Sequence, residues 1–182
     1  IKTIEELRGR TELLNDKQNI GLRYYEDILK RIPRSEIDEY KKVFDRVFSK
    51  CGSVTTNYAI VGSYRRGAME SGDIDVIISD DVGDSTVFKQ CIDVMLKEGI
   101  ITEVLSRGAV KSLVIGTLPG KTPRRIDFLY SPPVEYSFAT LYFTGSATFN
   151  TVMRQHALNR GYTLNEHGIY KMENKKKGAR ID

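Results

Sequence analysis

The sequence predicts an α+β fold: a helical N-terminal lobe, a β-sheet lobe interrupted by one helix, and a small α/β C-terminal lobe. Three observations carry that prediction. Apolar residues recur at helical spacing through the first fifty positions, short β-like runs replace them from Tyr58, and helical spacing returns after Pro132-Pro133. At 182 residues the chain can bury a real core, as one ordinary domain or as two small lobes.

Asn15 or Asp16 is placed to cap a helix through Tyr24, Tyr25, Ile28 and Leu29. Ile32-Pro33 ends it, because the residue before proline is pushed out of the α region. Ser35 followed by Asp38 resembles a capping signal for a second helix, in which Ile37, Tyr40, Phe44, Val47 and Phe48 recur at core spacing. Five β-like runs follow, at residues 58–61, 73–79, 101–105, 110–117 and 124–130. A helix capped near Ser85 separates the second from the third, with Phe88, Cys91, Ile92, Met95 and Leu96 on one face.

Cys51 and Cys91 lie in or beside helical patterns without a Cys-x-x-Cys motif, and read as packing residues in a reducing compartment. Beyond Pro133 the pattern is helical from Val134 to about Arg160, broken at Gly145, with a β-like segment near residues 161–171. The charged end from Glu173 to Asp182 has no apolar periodicity and reads as a flexible or shortened tail, its Lys175–Lys177 run a solvated surface.

The 28 basic and 24 acidic residues give a net charge of +4, a mixed surface that permits nucleic acid without requiring it. No apolar stretch approaches a membrane span. The start, Ile-Lys-Thr-Ile, has neither an initiator methionine nor the form of a signal peptide, and reads as the beginning of an excised or processed piece.

Function is concentrated in the run from Gly62 to Ile78. Val76, Ile77 and Ile78 read as a buried strand, and alternation along it puts Asp73 and Asp75 on one side, their Cα atoms roughly 6.6 Å apart. A bare Asp-x-Asp is more often a solvated entry into a sheet. Here it follows a Gly62-Ser63 turn whose exposed N–H groups suit phosphate oxygens, and two arginines, Arg65 and Arg66, that supply planar charged forks for the same oxygens. A site for two cations needs a further carboxylate. Asp127 supplies it, on a strand where Ile126 and Phe128 face the other way.

Taken together these motifs resemble the family X DNA polymerases of the polymerase beta type, within the nucleotidyltransferase superfamily. The resemblance rests on Gly62-Ser63-Tyr64-Arg65-Arg66-Gly67, Gly72-Asp73-Ile74-Asp75, Arg124-Arg125-Ile126-Asp127 and Leu141-Tyr142-Phe143-Thr144-Gly145-Ser146, in order and at matching spacing. It implies a helical DNA-binding lobe over residues 1–33, a mixed-sheet catalytic palm with helices on one face over residues 34–131, and a nucleotide-selecting lobe over residues 132–182.

It further implies template-directed DNA synthesis with two magnesium ions, manganese being able to substitute, in short-gap repair by a nuclear monomer, or in a viral counterpart. The partners implied are primer-template or gapped DNA and a deoxyribonucleoside triphosphate, with no membrane. Asp73 and Asp75 would hold both metals and Asp127 the catalytic one. Arg31, Ser63, Arg66 and Gly72 would contact the triphosphate, Tyr142, Phe143 and Gly145 the sugar, and Asn150 the minor-groove edge of the incoming nucleotide. Arg125 would lie near the primer terminus and Arg154 near the template.

Thr151 stands where the family has a lysine against the template base, and Ala147 replaces an acidic residue near the incoming base. Two alternatives therefore stay open, a template-independent terminal nucleotidyltransferase and a catalytically silent DNA-binding scaffold. His156 and His167 read as structural or DNA-proximal residues, not as general bases.

Overall fold

In the computed structural model, which describes residues 1–52, 55–173 and 176–181, the chain begins with short helices. These are α1 (Ile4–Arg8), a 3-10 turn at Thr11–Leu13, α2 (Asp16–Arg23) and α3 (Tyr25–Leu29). Asn15 caps α2 in a capping box with Gln18, as its position predicted. The single helix expected through Leu29 is instead broken at Tyr24. Neither piece has a broad apolar face to bury, only Leu22 being buried, so packing does not hold them in register.

The two-residue strand β1 (Ile32–Pro33) leads into the long helix α4 (Arg34–Cys51). Ser35 does not cap α4, which starts directly after Pro33. Proline suits a helix start because its φ is already set, and this frees Asp38 to accept a hydrogen bond from the Tyr64 hydroxyl at 2.7 Å. Ile37, Tyr40, Phe44, Val47 and Phe48 are all buried, on the face their spacing predicted.

Then come β2 (Asn57–Ile60), the single-turn helix α5 (Gly62–Arg65), β3 (Glu70–Ser71), β4 (Ile74–Ser79), α6 (Thr86–Lys97), β5 (Ile101–Arg107), β6 (Lys111–Gly116) and β7 (Arg124–Tyr130). Five of these strands form one sheet in the order β2-β4-β7-β6-β5, mixed because β4 and β7 run parallel while the other pairs are antiparallel. One face of β4 and β7 presents Ile74, Val76, Ile78, Ile126, Phe128 and Tyr130 to α4 and α6, and the core lies between. Asp75, Ile77 and Asp127 fall on the other face. There Ile77 packs with Val61 and Ala139. The small sheet β1–β3, with Ile32 opposite Ser71, was not legible in sequence, since two residues carry no periodicity.

Ser85 sits at the start of α6 as expected, but with φ +62° it makes no side-chain cap. Asp84 caps instead, its carboxylate accepting from the Thr86 N–H at 2.9 Å. Cys51 and Cys91 are not independent packing residues, because α4 and α6 pack side by side, their Cα atoms come to 5.6 Å, and they are joined in a disulfide.

The C-terminal lobe comprises α7 (Tyr136–Thr144), α8 (Ala147–Asn159), β8 (Tyr162–Asn165), β9 (Gly168–Glu173) and β10 (Lys176–Arg180). The last of these corrects the flexible-tail reading. Residues 176–180 pair antiparallel with β9, Lys176 opposite Glu173 and Lys177 opposite Met172, because backbone hydrogen bonding and opposed charges do not need apolar periodicity. Lys176 and Lys177 are exposed, as the solvated-run reading expected, although the Lys177 ammonium also lies 3.5 Å from the centroid of the Tyr170 ring; Lys175 lies outside the described residues. No helix among the described residues is long and apolar enough to cross a membrane.

Phe44 is fully buried and touches the rings of Tyr40, Phe48, Tyr58 and Phe128. Phe44→Ala is expected to cost about 3–5 kcal/mol in chemical denaturation, since it leaves a cavity between helix and sheet.

Candidate active site

The Gly62–Gly72 segment folds back over the end of β4 and forms one wall of a cleft of about 870 Å³. The opposite wall is α7, the Gly145 turn and α8. Arg31, Ser63, Arg66, Gly72, Asp73, Asp75, Tyr142, Phe143, Gly145, Asn150 and Arg154, all singled out from sequence, line it together. Residues more than a hundred positions apart thus face one space.

Asp75 and Asp127 are register partners on the parallel strands β4 and β7, and so stand side by side on the sheet face that opens into the cleft. Burial, then the charges of Asp73 and Asp127, push the Asp75 carboxyl up to about 7. The three acids repel one another in a partly dry place.

Asp127 itself is buried and does not reach the cleft lining. Its two oxygens accept from Arg125 Nε at 3.0 Å and Nη2 at 2.8 Å, a bidentate pair made because the two residues share a face of β7. That contact holds the Arg125 guanidinium above its ordinary range. Arg125 is likewise outside the lining, beside the cleft and not in its wall. Among the described residues no three carboxylates, histidines or cysteines are gathered tightly enough to make a ready cation cage. Yet the donor set suits hard cations, which would offset both the burial and the repulsion that raise Asp75.

Glycines permit the closeness. Gly62 has φ +61°, and a Cβ there would stand 2.6 Å from Asp75 Oδ2, so any side chain would collide with the carboxylate. Gly145 has φ +71° and precedes a cis peptide to Ser146. A Cβ on it would come within 3.3 Å of Arg66 Nη1. Arg66 Nη1 donates to the Thr144 carbonyl at 2.6 Å, tying the two cleft walls together. Ser63 donates to the buried Ser71 hydroxyl at 2.7 Å, and Ser71 was not recognised in sequence because a lone serine in a two-residue strand gives no signal.

Asn150 donates to the Tyr142 carbonyl at 2.7 Å, leaving its buried Oδ1 without a partner among the described residues. Thr151 bonds back to the Ala147 carbonyl at 2.9 Å and so points its hydroxyl along its own helix. Gln155 and Leu158, one and two turns beyond Thr151, extend the α8 wall and were missed because their spacing is that of any exposed helix face. His156 is exposed outside the cleft, and His167 faces the Glu135 carboxylate at 2.8 Å, away from the acids.

The chain matches the family model described as DNA polymerase beta palm over residues 31–133 and that described as DNA polymerase beta thumb over residues 139–182. It is 35% identical to DNA polymerase lambda of Rattus norvegicus over 177 residues, covering 92% of this chain and 30% of the relative. Against DNA polymerase lambda of Arabidopsis thaliana the identity is 33% over 195 residues, with 98% of this chain and 36% of the relative covered. The DNA polymerase type-X family protein pol4 of Schizosaccharomyces pombe is 27% identical over 161 residues, 81% of this chain and 31% of its own length. The chain spans about a third of the length of these curated relatives.

A carboxyl raised from 3.8 to about 7 favours the fold while protonated, a contribution fully present below pH 4 and lost as pH rises through 7. In a chelator, Asp75→Asn is therefore expected to melt above the parent chain at pH 8, by on the order of a few kcal/mol, and level with it near pH 4. Thermal melts across that range check it.

Proposed function

Because the chain belongs to the family X DNA polymerases of the polymerase beta type, we propose that it is a template-directed DNA polymerase catalytic region that adds deoxynucleotides to a primer 3′ end. The observation that carries this reading is the pairing of Asp75 with Asp127 across β4 and β7, beside an arginine-lined cleft that Asp73 also faces. In this reading residues 1–33 contact DNA, residues 34–131 carry the chemistry, residues 132–182 select the nucleotide, and short-gap filling by a nuclear monomer is the role.

Asp73 and Asp75 would hold both of two magnesium or manganese ions, and Asp127 the catalytic one. Cations held there would supply positive charge that lowers the pKa of the primer hydroxyl and offsets the negative charge of the triphosphate and its leaving oxygen. The chain's own residues do the rest. Arg66 and Arg31 offer guanidinium forks to phosphate oxygens, with the Ser63 hydroxyl and the unobstructed backbone at Gly72 between them. Arg125, paired with Asp127 on the same strand, would lie near the primer terminus. Tyr142 and Phe143, ring centroids 5.1 Å apart, make a wall that a ribose 2′-hydroxyl would strike. Asn150 and Arg154, one turn apart on α8, face the base pair, where minor-groove acceptors are alike for every correct pair.

One observation favours a second reading. Thr151 turned onto its own helix leaves the templating position without a stacking side chain, as suits a template-independent terminal transferase.

Extension of a labelled primer across a one-nucleotide gap, with magnesium and each deoxynucleotide in turn, separates these. Insertion of the complementary nucleotide alone, lost by at least ~10³-fold in Asp127→Ala, is the expected outcome. Indifferent extension of single-stranded primer would favour the terminal transferase, and gapped-DNA binding without insertion a silent scaffold. Arg66→Ala is expected to raise the nucleotide KM by ~10-fold or more, as it removes both a phosphate contact and the tie to Thr144.

A further inference from the structure

Arg124 is out of place on its strand. It lies on the core face of β7, in line with Ile126 and Phe128, and is only 5% exposed. Its partner Glu36, in the first turn of α4, is 6% exposed. The pair is fully engaged: Arg124 Nε donates to Glu36 Oε1 at 2.7 Å and Nη2 to Oε2 at 2.9 Å. The remaining nitrogen, Nη1, donates to the backbone carbonyls of Lys30 at 3.1 Å and Arg31 at 3.3 Å.

Burying two charges costs desolvation that their attraction does not reliably recover, so a buried ion pair is poor evidence of stabilisation. What distinguishes this one is where its spare donor goes. Lys30 is the C-cap of α3, where helix carbonyls are left without helical partners, and Arg31 leads from it into β1. Arg124 Nη1 clamps both carbonyls from behind.

From the front, Arg31 Nη2 donates to the Glu70 carbonyl at 3.0 Å and Nε to Glu70 Oε1 at 3.3 Å. Its Nη1 lies 3.3 Å from where a Cβ on Gly72 would stand, inside the cleft. Arg31 is therefore fixed at both ends, its backbone by a residue three positions before Asp127 on the same strand.

We propose that Arg124, oriented by Glu36, is a positioning residue that sets Arg31 in the triphosphate site and ties it to the strand carrying Asp127. The proposal rests on the reading of the cleft as a nucleoside-triphosphate site. Arginine is required for its fork, since lysine cannot satisfy two carboxylate oxygens and two carbonyls at once. The contact is made by Arg124 before any ligand arrives, so its effect falls on nucleotide affinity more than on turnover.

The test is a cycle of Arg31→Ala, Glu36→Met/Arg124→Met and the combination. It is read by equilibrium binding of a non-hydrolysable deoxynucleoside triphosphate with magnesium, by KM and kcat on gapped DNA, and by thermal melting. Replacing both charges with methionine keeps the volume and leaves no orphan charge, so the fold persists. Nucleotide affinity is expected to fall ~10-fold with kcat changed much less, and the same pair of changes to add nothing once Arg31 is alanine. Arg124→Lys serves as the second variant: it keeps the charge beside Glu36 but loses the fork, and should show the same affinity loss with a melt lowered by the buried acceptors left unpaired.

Affinity unaltered in the folded variants, or losses that multiply with Arg31→Ala, would overturn the positioning role while leaving the polymerase reading intact. A parent chain that binds no triphosphate would overturn both.

Discussion

Everything in the cleft depends on bringing like charges together. Two carboxylates directly opposite on adjacent strands, with a third just before the first, repel one another, and the Asp75 carboxyl is raised by its burial first and by that repulsion second. The arrangement persists because the other face of the same strands is anchored. Ile74, Val76 and Ile78 alternate with Asp75 on β4, and Ile126 and Phe128 with Asp127 on β7, all fully or nearly fully buried under α4 and α6. A slip of one residue in either strand would bury the acids and expose the core. Apolar burial on one face thus enforces electrostatic crowding on the other.

Relief of that crowding takes two forms. Arg125 neutralises Asp127 from within its own strand, leaving Asp75 the acid that absorbs the unfavourable field. Gly62, which meets Asp75 Oδ2 with no side chain, lets backbone replace bulk at the tightest point. Arginine and glycine at these positions follow from the geometry of the acids; Arg66 and Arg31 carry positive charge further along the cleft, and the neutral, buried Arg124–Glu36 pair braces Arg31 from behind.

Sequence periodicity gave a good account of the large elements. α4, α6, β4 and β7 appear where apolar spacing placed them, because long regular segments bury one face and therefore advertise it. Tyr24, Ser85 and the C-terminal residues 176–180 escaped it for different reasons. At Tyr24 a run of helix formers lacks the apolar face needed to hold it as one helix; at Ser85 the neighbouring Asp84 supplies the cap; and β10 is held by a backbone ladder that leaves no hydrophobic trace. Cys51 and Cys91, forty residues apart, meet only because α4 and α6 pack together.

The site divides in the same way. Asp73, Asp75, the glycine-serine turn and the Arg-Ile-Asp strand are local patterns whose chemistry follows from residue type and alternation, so the sequence by itself determined that acids and phosphate-binding groups would be present. Only the tertiary structure decided the parallel register that sets Asp75 beside Asp127 and the closure of the Gly145 turn onto Arg66. It alone also decided the burial of Arg124 against Glu36 behind Arg31. These are contacts between segments 50 to 90 residues apart, fixed by strand pairing and core packing, and no local spacing encodes which distant partner a charged side chain will meet.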